Sequence, residues 1–208
     1  MRISTTVVIC SWILLTGLVQ GVAVAADEQT PEALVKQITA DVLDAIKQDP
    51  ALRSGDRRKA LALAEEKVLP LIDFRESTRL AVGRAWAQAS KEQQERLVEE
   101  FRRMLVRTYS NSISRYEGQT IEVLPARYRP EDTEVTVRNQ YRRRGRPPVQ
   151  LDYTMRRSAE GWKIYDIVVE GVSLVITYRS EFDVVVKQSG IDGLIKRLAE
   201  KNTPAKVG

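Results

Sequence analysis

No histidine occurs anywhere in the 208 residues, and the single cysteine is Cys10. Without an imidazole or a second thiol, the histidine-dependent nucleophilic triads and the usual Cys/His zinc sites are excluded. Gly-rich phosphate loops, the dinucleotide fingerprint and the G-x-S-x-G turn are all missing, so common nucleotide and acyl chemistry has no motif here. One cysteine forms no intramolecular disulfide, so a packed core has to hold the fold. Long apolar runs are missing too. A bilayer span needs about 20 apolar residues, whereas the longest run covers residues 7–19 and is interrupted by Thr16 and Gly17.

That run has a different meaning. Arg2 and the terminal amine precede it, Ala23 and Ala25 follow in an A-x-A arrangement, and the first acids are Asp27 and Glu28. The pattern predicts a cleavable export signal over residues 1–25, cut after Ala25; an uncleaved anchor is the alternative. Cys10 lies inside the run rather than at a lipoprotein cleavage site, so the mature chain is expected to be soluble and free of thiols. It would comprise one domain, residues 26–201, and a loose polar tail, 202–208.

The whole chain carries 33 basic and 28 acidic side chains. They are unevenly spread: residues 26–100 hold 12 basic and 15 acidic groups, and residues 101–208 hold 20 and 13. A basic carboxyl-terminal half favours anionic surfaces. For an exported chain these are lipid head groups or an acidic partner, not nucleic acid.

Helical spacing runs over residues 30–48, with Leu34, Val35, Ile38, Val42, Leu43 and Ile46 on one side and Pro31 in the first turn. Further helices are expected over 60–69, closed by Pro70, and over 74–82, ended by Gly83. The longest is the best specified. Ser90 and Gln93 form a capping box, and Leu97, Phe101, Leu105, Tyr109 and Ile113 recur every fourth residue. After Gly118 the period becomes two, giving strands over 120–126, 134–141, 149–157 and 161–169. The third alternates most cleanly, with Val149, Leu151, Tyr153 and Met155 opposed to Gln150, Asp152, Thr154 and Arg156. Ser173 caps a helix carrying Leu174, Tyr178, Phe182, Val185 and Val186, and Gly190 and Gly193 bracket a break before a last helix. The order implies an α+β fold, with helices packed on one face of a four-stranded antiparallel sheet.

Three groups of residues are candidates for function. Carboxylate pairs occur at Glu65–Glu66, Glu99–Glu100 and Asp73–Glu76, but on helices such pairs form the solvated face far more often than a catalytic one. Arg142, Arg143, Arg144 and Arg146 occupy a hairpin turn, close to Arg138, Arg156 and Arg157. They are either a solvated turn or a docking surface for phosphates or carboxylates. The apolar stripes fill solid core or line a cavity, and spacing does not separate the two.

Two blocks of residues are familiar. Asp73-Phe74 and residues 78–86 (TRLAVGRAW), with Phe101, Leu105, Thr108 and Tyr109, form the first. Trp162, residues 165–167 (YDI), 170–174 (EGVSL), 178–182 (YRSEF) and 190–194 (GIDGL) form the second. Together they resemble the MlaC family, also called toluene-tolerance auxiliary proteins.

The resemblance implies a periplasmic, non-enzymatic and monomeric phospholipid carrier, with bound phospholipid as cargo and no cofactor or metal. It would shuttle lipid between an outer-membrane lipoprotein complex and an inner-membrane ABC transporter, maintaining outer-membrane lipid asymmetry. It also implies a four-stranded antiparallel sheet wrapped by six or seven helices around an apolar cavity, a cone like that of the NTF2-like folds. Residues 120–157 match the family only in strand pattern, so the cavity residues placed there follow from physics alone. The candidates are Phe101, Leu105 and Tyr109; Val149, Leu151, Tyr153 and Met155; and Leu174, Tyr178 and Phe182, some of which will be solid core. The rival readings are an exported interaction module with a solid core and a basic docking face, and a small enzyme using Asp152 or Asp166.

Overall fold

The computed structural model describes residues 29–113 and 118–203. The predicted export signal, residues 114–117 and residues 204–208 of the tail lie outside the described residues.

Local chemistry sets the helices where the spacing placed them. Thr30 caps α1 (Pro31–Gln48), its hydroxyl oxygen accepting the Ala33 N–H at 3.2 Å, and Pro31 sits where no N–H is needed. Asp49 and Asp56 cap the short α2 (Pro50–Arg53) and α3 (Arg57–Leu63). The helix expected over 60–69 is less regular. After α3 the chain widens into a π turn over Ala64–Val68 and tightens into a 3-10 turn over Leu69–Leu71. Pro70 lies in that last turn and has no N–H to continue an α-helical ladder.

Asp73 caps α4 (Phe74–Val82), which stops at Gly83 with φ +64°. A Cβ there would lie 3.2 Å from Arg179 Nε, so glycine serves both the left-handed turn and the close approach of a later helix. A 3-10 segment over Gly83–Gln88 leads to α5 (Lys91–Ile113). Its capping box is formed, with the Gln93 N–H 3.2 Å from Ser90 Oγ and the Ser90 N–H 3.0 Å from Gln93 Oε1.

The sheet has five antiparallel strands in the order β1-β2-β3-β4-β5: β1 (Thr120–Val123), β2 (Glu134–Arg142), β3 (Val149–Ser158), β4 (Gly161–Val169) and β5 (Val172–Ser173). The expected count of four is corrected to five, because two residues are too few to show alternation. β5 folds back on β4 through a tight turn in which Glu170 and Gly171 both have positive φ, and Val169 pairs with Val172. β1 stops at Val123 rather than continuing to 126, since the Ala126 N–H turns to the Glu32 carboxylate of α1.

Register decides which side chains share a face. Val135, Val137, Asn139 and Tyr141 of β2 stand opposite Met155, Tyr153, Leu151 and Val149 of β3. On β4, Ile164 pairs with Met155 and Ile167 with Tyr153, so an extra residue, Tyr165, bulges from the ladder. This apolar face is covered at one end by α1, where Val35 packs with Val135, Val137, Met155, Trp162 and Ile164.

A second core joins α4, α5 and α6 (Leu174–Asn202) through Val82, Leu97, Phe101, Met104, Phe182, Ile195 and Leu198. Gly190, at φ +69° and ψ −173°, interrupts α6 where the break was expected. Gly193 lies in the helix beyond it, and its Cβ position is occupied by the Ser189 side chain. The helix includes Asn202, whose amide bonds the Glu100 carbonyl at 2.9 Å. Among the described residues no helix is long and apolar enough to cross a membrane.

Candidate functional site

Four-residue spacing puts Phe101, Leu105 and Tyr109 on one side of α5 and Leu174, Tyr178 and Phe182 on one side of α6. The two stripes meet: Phe101 stands edge-on to Tyr178 and to Phe182, each with ring centroids 5.1 Å apart. Between these helices, α4 and β4 lies an apolar cleft of about 50 Å³. Ile72, Phe101, Leu105, Ile164, Ile167 and Leu174 form most of its wall, and Ser77, Asp166 and Tyr178 bring the polar groups.

The polar groups hold the surrounding elements in place. Asp166 accepts the Ser173 hydroxyl at 2.5 Å and the Val175 N–H at 3.1 Å, while Ser173 Oγ accepts the Ile176 N–H at 3.0 Å. Two residues thus cap α6 and place a carboxylate at its positive end. Ser77 donates to the carbonyl of the bulged Tyr165 at 2.6 Å, and the Asp73 N–H donates to the Ile164 carbonyl at 2.8 Å. In this way α4 closes the edge of β4.

The candidate cavity residues fall into three sets. Phe101, Leu105, Leu174 and Tyr178 line the cleft, and Tyr109 stands at its rim, its hydroxyl 3.5 Å from that of Tyr178. Met155 is fully buried under α1 and Phe182 is buried among the helices, so both are packed core. Val149, Leu151 and Tyr153 are half-buried; Tyr153 packs against the core of Val35, Val137 and Met155, and Val149 and Leu151 lie further along the same face. Tyr141 is likewise half-buried there, and Val169 and Val172 are exposed. Burial pushes the Tyr153 phenol up to about 12 although its side chain keeps accessible surface.

Most of the acids considered for catalysis are occupied structurally, and Glu65 is exposed. Glu76 accepts two bonds from Arg79, at 2.7 and 2.6 Å, and lies 2.9 Å from Arg156. The Arg79 hydrogen bonds, ahead of the Arg156 charge, hold its carboxyl below the usual range. Asp73 caps α4, Glu99 pairs with Arg103 at 2.8 Å, and Glu100 accepts from Asn202 at 2.7 Å. Glu66 pairs with Lys67, and Asp152 accepts from Gln150 at 2.7 Å.

The arginines are not one cluster. Arg142 bonds Glu122 and Gln140, Arg143 is half-buried, and Arg144 and Arg146 are exposed in the β2–β3 turn. Arg156 and Arg157 sit near the far end of β3: Arg156 pairs with Glu76, and Arg157 covers the Trp162 ring 4.9 Å from its centroid. The strand itself separates the two groups, since seven residues of β-strand span roughly 23 Å.

Comparison with known proteins agrees with this architecture. A family model described as MlaC protein matches residues 36–200. The chain belongs to the MlaC family. It is 22% identical over 195 residues to the intermembrane phospholipid transport system binding protein MlaC of Haemophilus influenzae, covering 92% of this chain and 90% of that one. It is 23% identical over 165 residues to the toluene tolerance protein ttg2D of Pseudomonas putida, covering 79% and 76%. Among solved structures it resembles a phospholipid-binding protein from Ralstonia solanacearum in complex with a phospholipid. The TM-score is 0.75 at 40% identity, covering 82% of this chain and 96% of that one.

In this MlaC-family chain, spacing alone missed Ile72, Ile164 and Ile167 of the cleft wall. A period of two puts Ile164 and Ile167 on opposite faces, and the bulge at Tyr165 returns them to the same one. Ile72 belongs to no regular element and reaches the wall through a parallel bridge to Ile164.

Proposed function

We propose that the protein is a soluble, monomeric phospholipid carrier of the periplasm. It is exported by cleavage after Ala25 and shuttles lipid between an outer-membrane lipoprotein complex and an inner-membrane ABC transporter, maintaining outer-membrane asymmetry. The observation that carries this reading is the apolar cleft under α5 and α6, lined by Ile167, together with the half-buried Tyr141, Val149 and Leu151 on the sheet face beside it. The phospholipid complex of the Ralstonia relative supports the class of cargo.

Physical chemistry accounts for enclosure. Each acyl methylene left in water costs about 0.8 kcal/mol, so a chain of about 16 carbons represents roughly 13 kcal/mol. A carrier must hide that surface, and a cargo held by its tails is selected by tails more than by head group. Carriage breaks no bond, so the structural acids above have no catalytic task. The cavity would be walled by Phe101, Leu105, Tyr109, Val149, Leu151, Tyr153, Leu174 and Tyr178, with Met155 and Phe182 as the packing behind it. Arg144 and Arg146, exposed in the β2–β3 turn, would dock the membrane complexes, with Arg142 and Arg143 shaping the turn. Denaturing extraction of purified protein followed by lipid mass spectrometry tests the reading. Near-stoichiometric phospholipid is expected, and its absence from protein purified without detergent would sink the proposal.

A further inference from the structure

The cleft wall holds few polar groups, and the protein itself uses those of Ser77 and Asp166. Ser77 gives its hydroxyl proton to the Tyr165 carbonyl. The Asp166 carboxylate is filled by the Ser173 hydroxyl and the Val175 N–H. Burial first, and then the charges of Glu134 and Glu76, raises the Tyr165 phenol, and neither of those acids lines the cleft. Tyr178 differs. Its ring packs edge-on against Phe101 within the apolar wall, while its hydroxyl is 3.5 Å from that of Tyr109, the outer limit of a hydrogen bond. Tyr109 is 39% exposed, so the pair stands where the apolar wall reaches solvent.

We infer that the Tyr109 and Tyr178 hydroxyls form a hydrogen-bonding pair for the ester carbonyl oxygens of a diacyl lipid, at the level where its tails leave the apolar wall. This rests on the carrier reading. A tyrosine suits the position because its ring belongs with the tails and its hydroxyl with the polar linkage. Burial, more than the Tyr109 contact, raises the Tyr178 pKa, so the group stays a protonated donor at neutral pH. Two neighbouring donors answer two acceptors on adjacent glycerol carbons. Neither carries charge, so the pair reads the linkage and leaves the head group unread.

Competition between two lipids tests this. Full-length mature protein is incubated with vesicles holding equal amounts of diacyl and ether-linked dialkyl phosphatidylglycerol of matched chain length, and the captured ratio is read by mass spectrometry. The ether lipid lacks both carbonyl oxygens and keeps the phosphate. Wild type is expected to favour the diacyl lipid by about thirtyfold, the worth of two net hydrogen bonds. Tyr178→Phe and Tyr109→Phe should each lower the ratio to about fivefold, with thermal midpoints unchanged. An undiminished preference in Tyr178→Phe overturns the inference. So does equal capture by wild type, which would make the shared phosphate the acceptor. Capture of neither lipid would overturn the carrier reading as well, so the two failures are distinguishable.

Discussion

The two ends of the sheet's apolar face use similar residues to opposite effect. At one end Val135, Val137 and Met155 lie under Val35 of α1 at 6% exposure or less. At the other, Tyr141, Val149 and Leu151 continue the same alternation on the same two strands and remain half-buried around a buried Asn139. Strand chemistry therefore does not distinguish a fully buried position from a half-buried one. What differs is the packing of α1, whose Val35 lies on the first set.

The largest effects should come from placing a charge at each end. Met155→Arg buries an unpaired guanidinium in solid core, a cost of more than about 4 kcal/mol, and should abolish cooperative folding. Leu151→Arg, two pairs along the same strand, has accessible surface to turn into. It should leave a folded protein whose circular dichroism matches wild type but which holds no phospholipid. If both variants unfold, the two ends are one core and the comparison fails.

Much of this contrast was legible in the residues. The capping box at Ser90, the stops at Gly83 and Gly190, and the alternation of β3 are local signals, and each element formed where its signal stood. What stayed hidden depends on partners distant in the chain. The bulge at Tyr165 exists because β3, α4 and the Ile72 bridge all compete for β4, and no spacing within residues 161–169 announces it. Burial of Met155 but not of Leu151 likewise depends on where α1 lies. The arginines looked like one patch because sequence distance ignores the length of an extended strand.

A middle-sized effect concerns the clamp near the covered end. Glu76 on α4 binds Arg79 of its own helix and Arg156 of β3, joining helix to sheet. Glu76→Gln removes the charge from both pairs. Because the two arginines are themselves 49% and 40% exposed, the loss should be about 1–2 kcal/mol rather than the larger figure for a fully buried pair. The sign with pH follows. The folded carboxyl has a lowered pKa, so its contribution is complete above the ordinary glutamate value of about 4.3 and is lost as pH falls through the lower folded value. Denaturant midpoints of wild type and Glu76→Gln should therefore differ at pH 7 and converge below about pH 4. A gap that persists in acid would mean that the side chain acts through packing.

The smallest effect on stability is expected beside the half-buried end, where it separates docking from carriage. Arg144 and Arg146 are exposed in the turn joining β2 to β3, and Gly145 between them has φ +72°, which a glycine adopts freely. Reversing both to Glu leaves that backbone intact and should shift unfolding by less than about 0.5 kcal/mol. Neither residue belongs to the proposed cavity wall, so co-purifying phospholipid should match wild type. Transfer of labelled lipid to membranes bearing the transporter should fall by at least tenfold, and raising salt should slow wild type towards the variant, as screening of exposed charges requires. Unimpaired transfer would assign the turn to solvation alone. Charge reversal at the turn would then leave both ends of the sheet face equally indifferent to it.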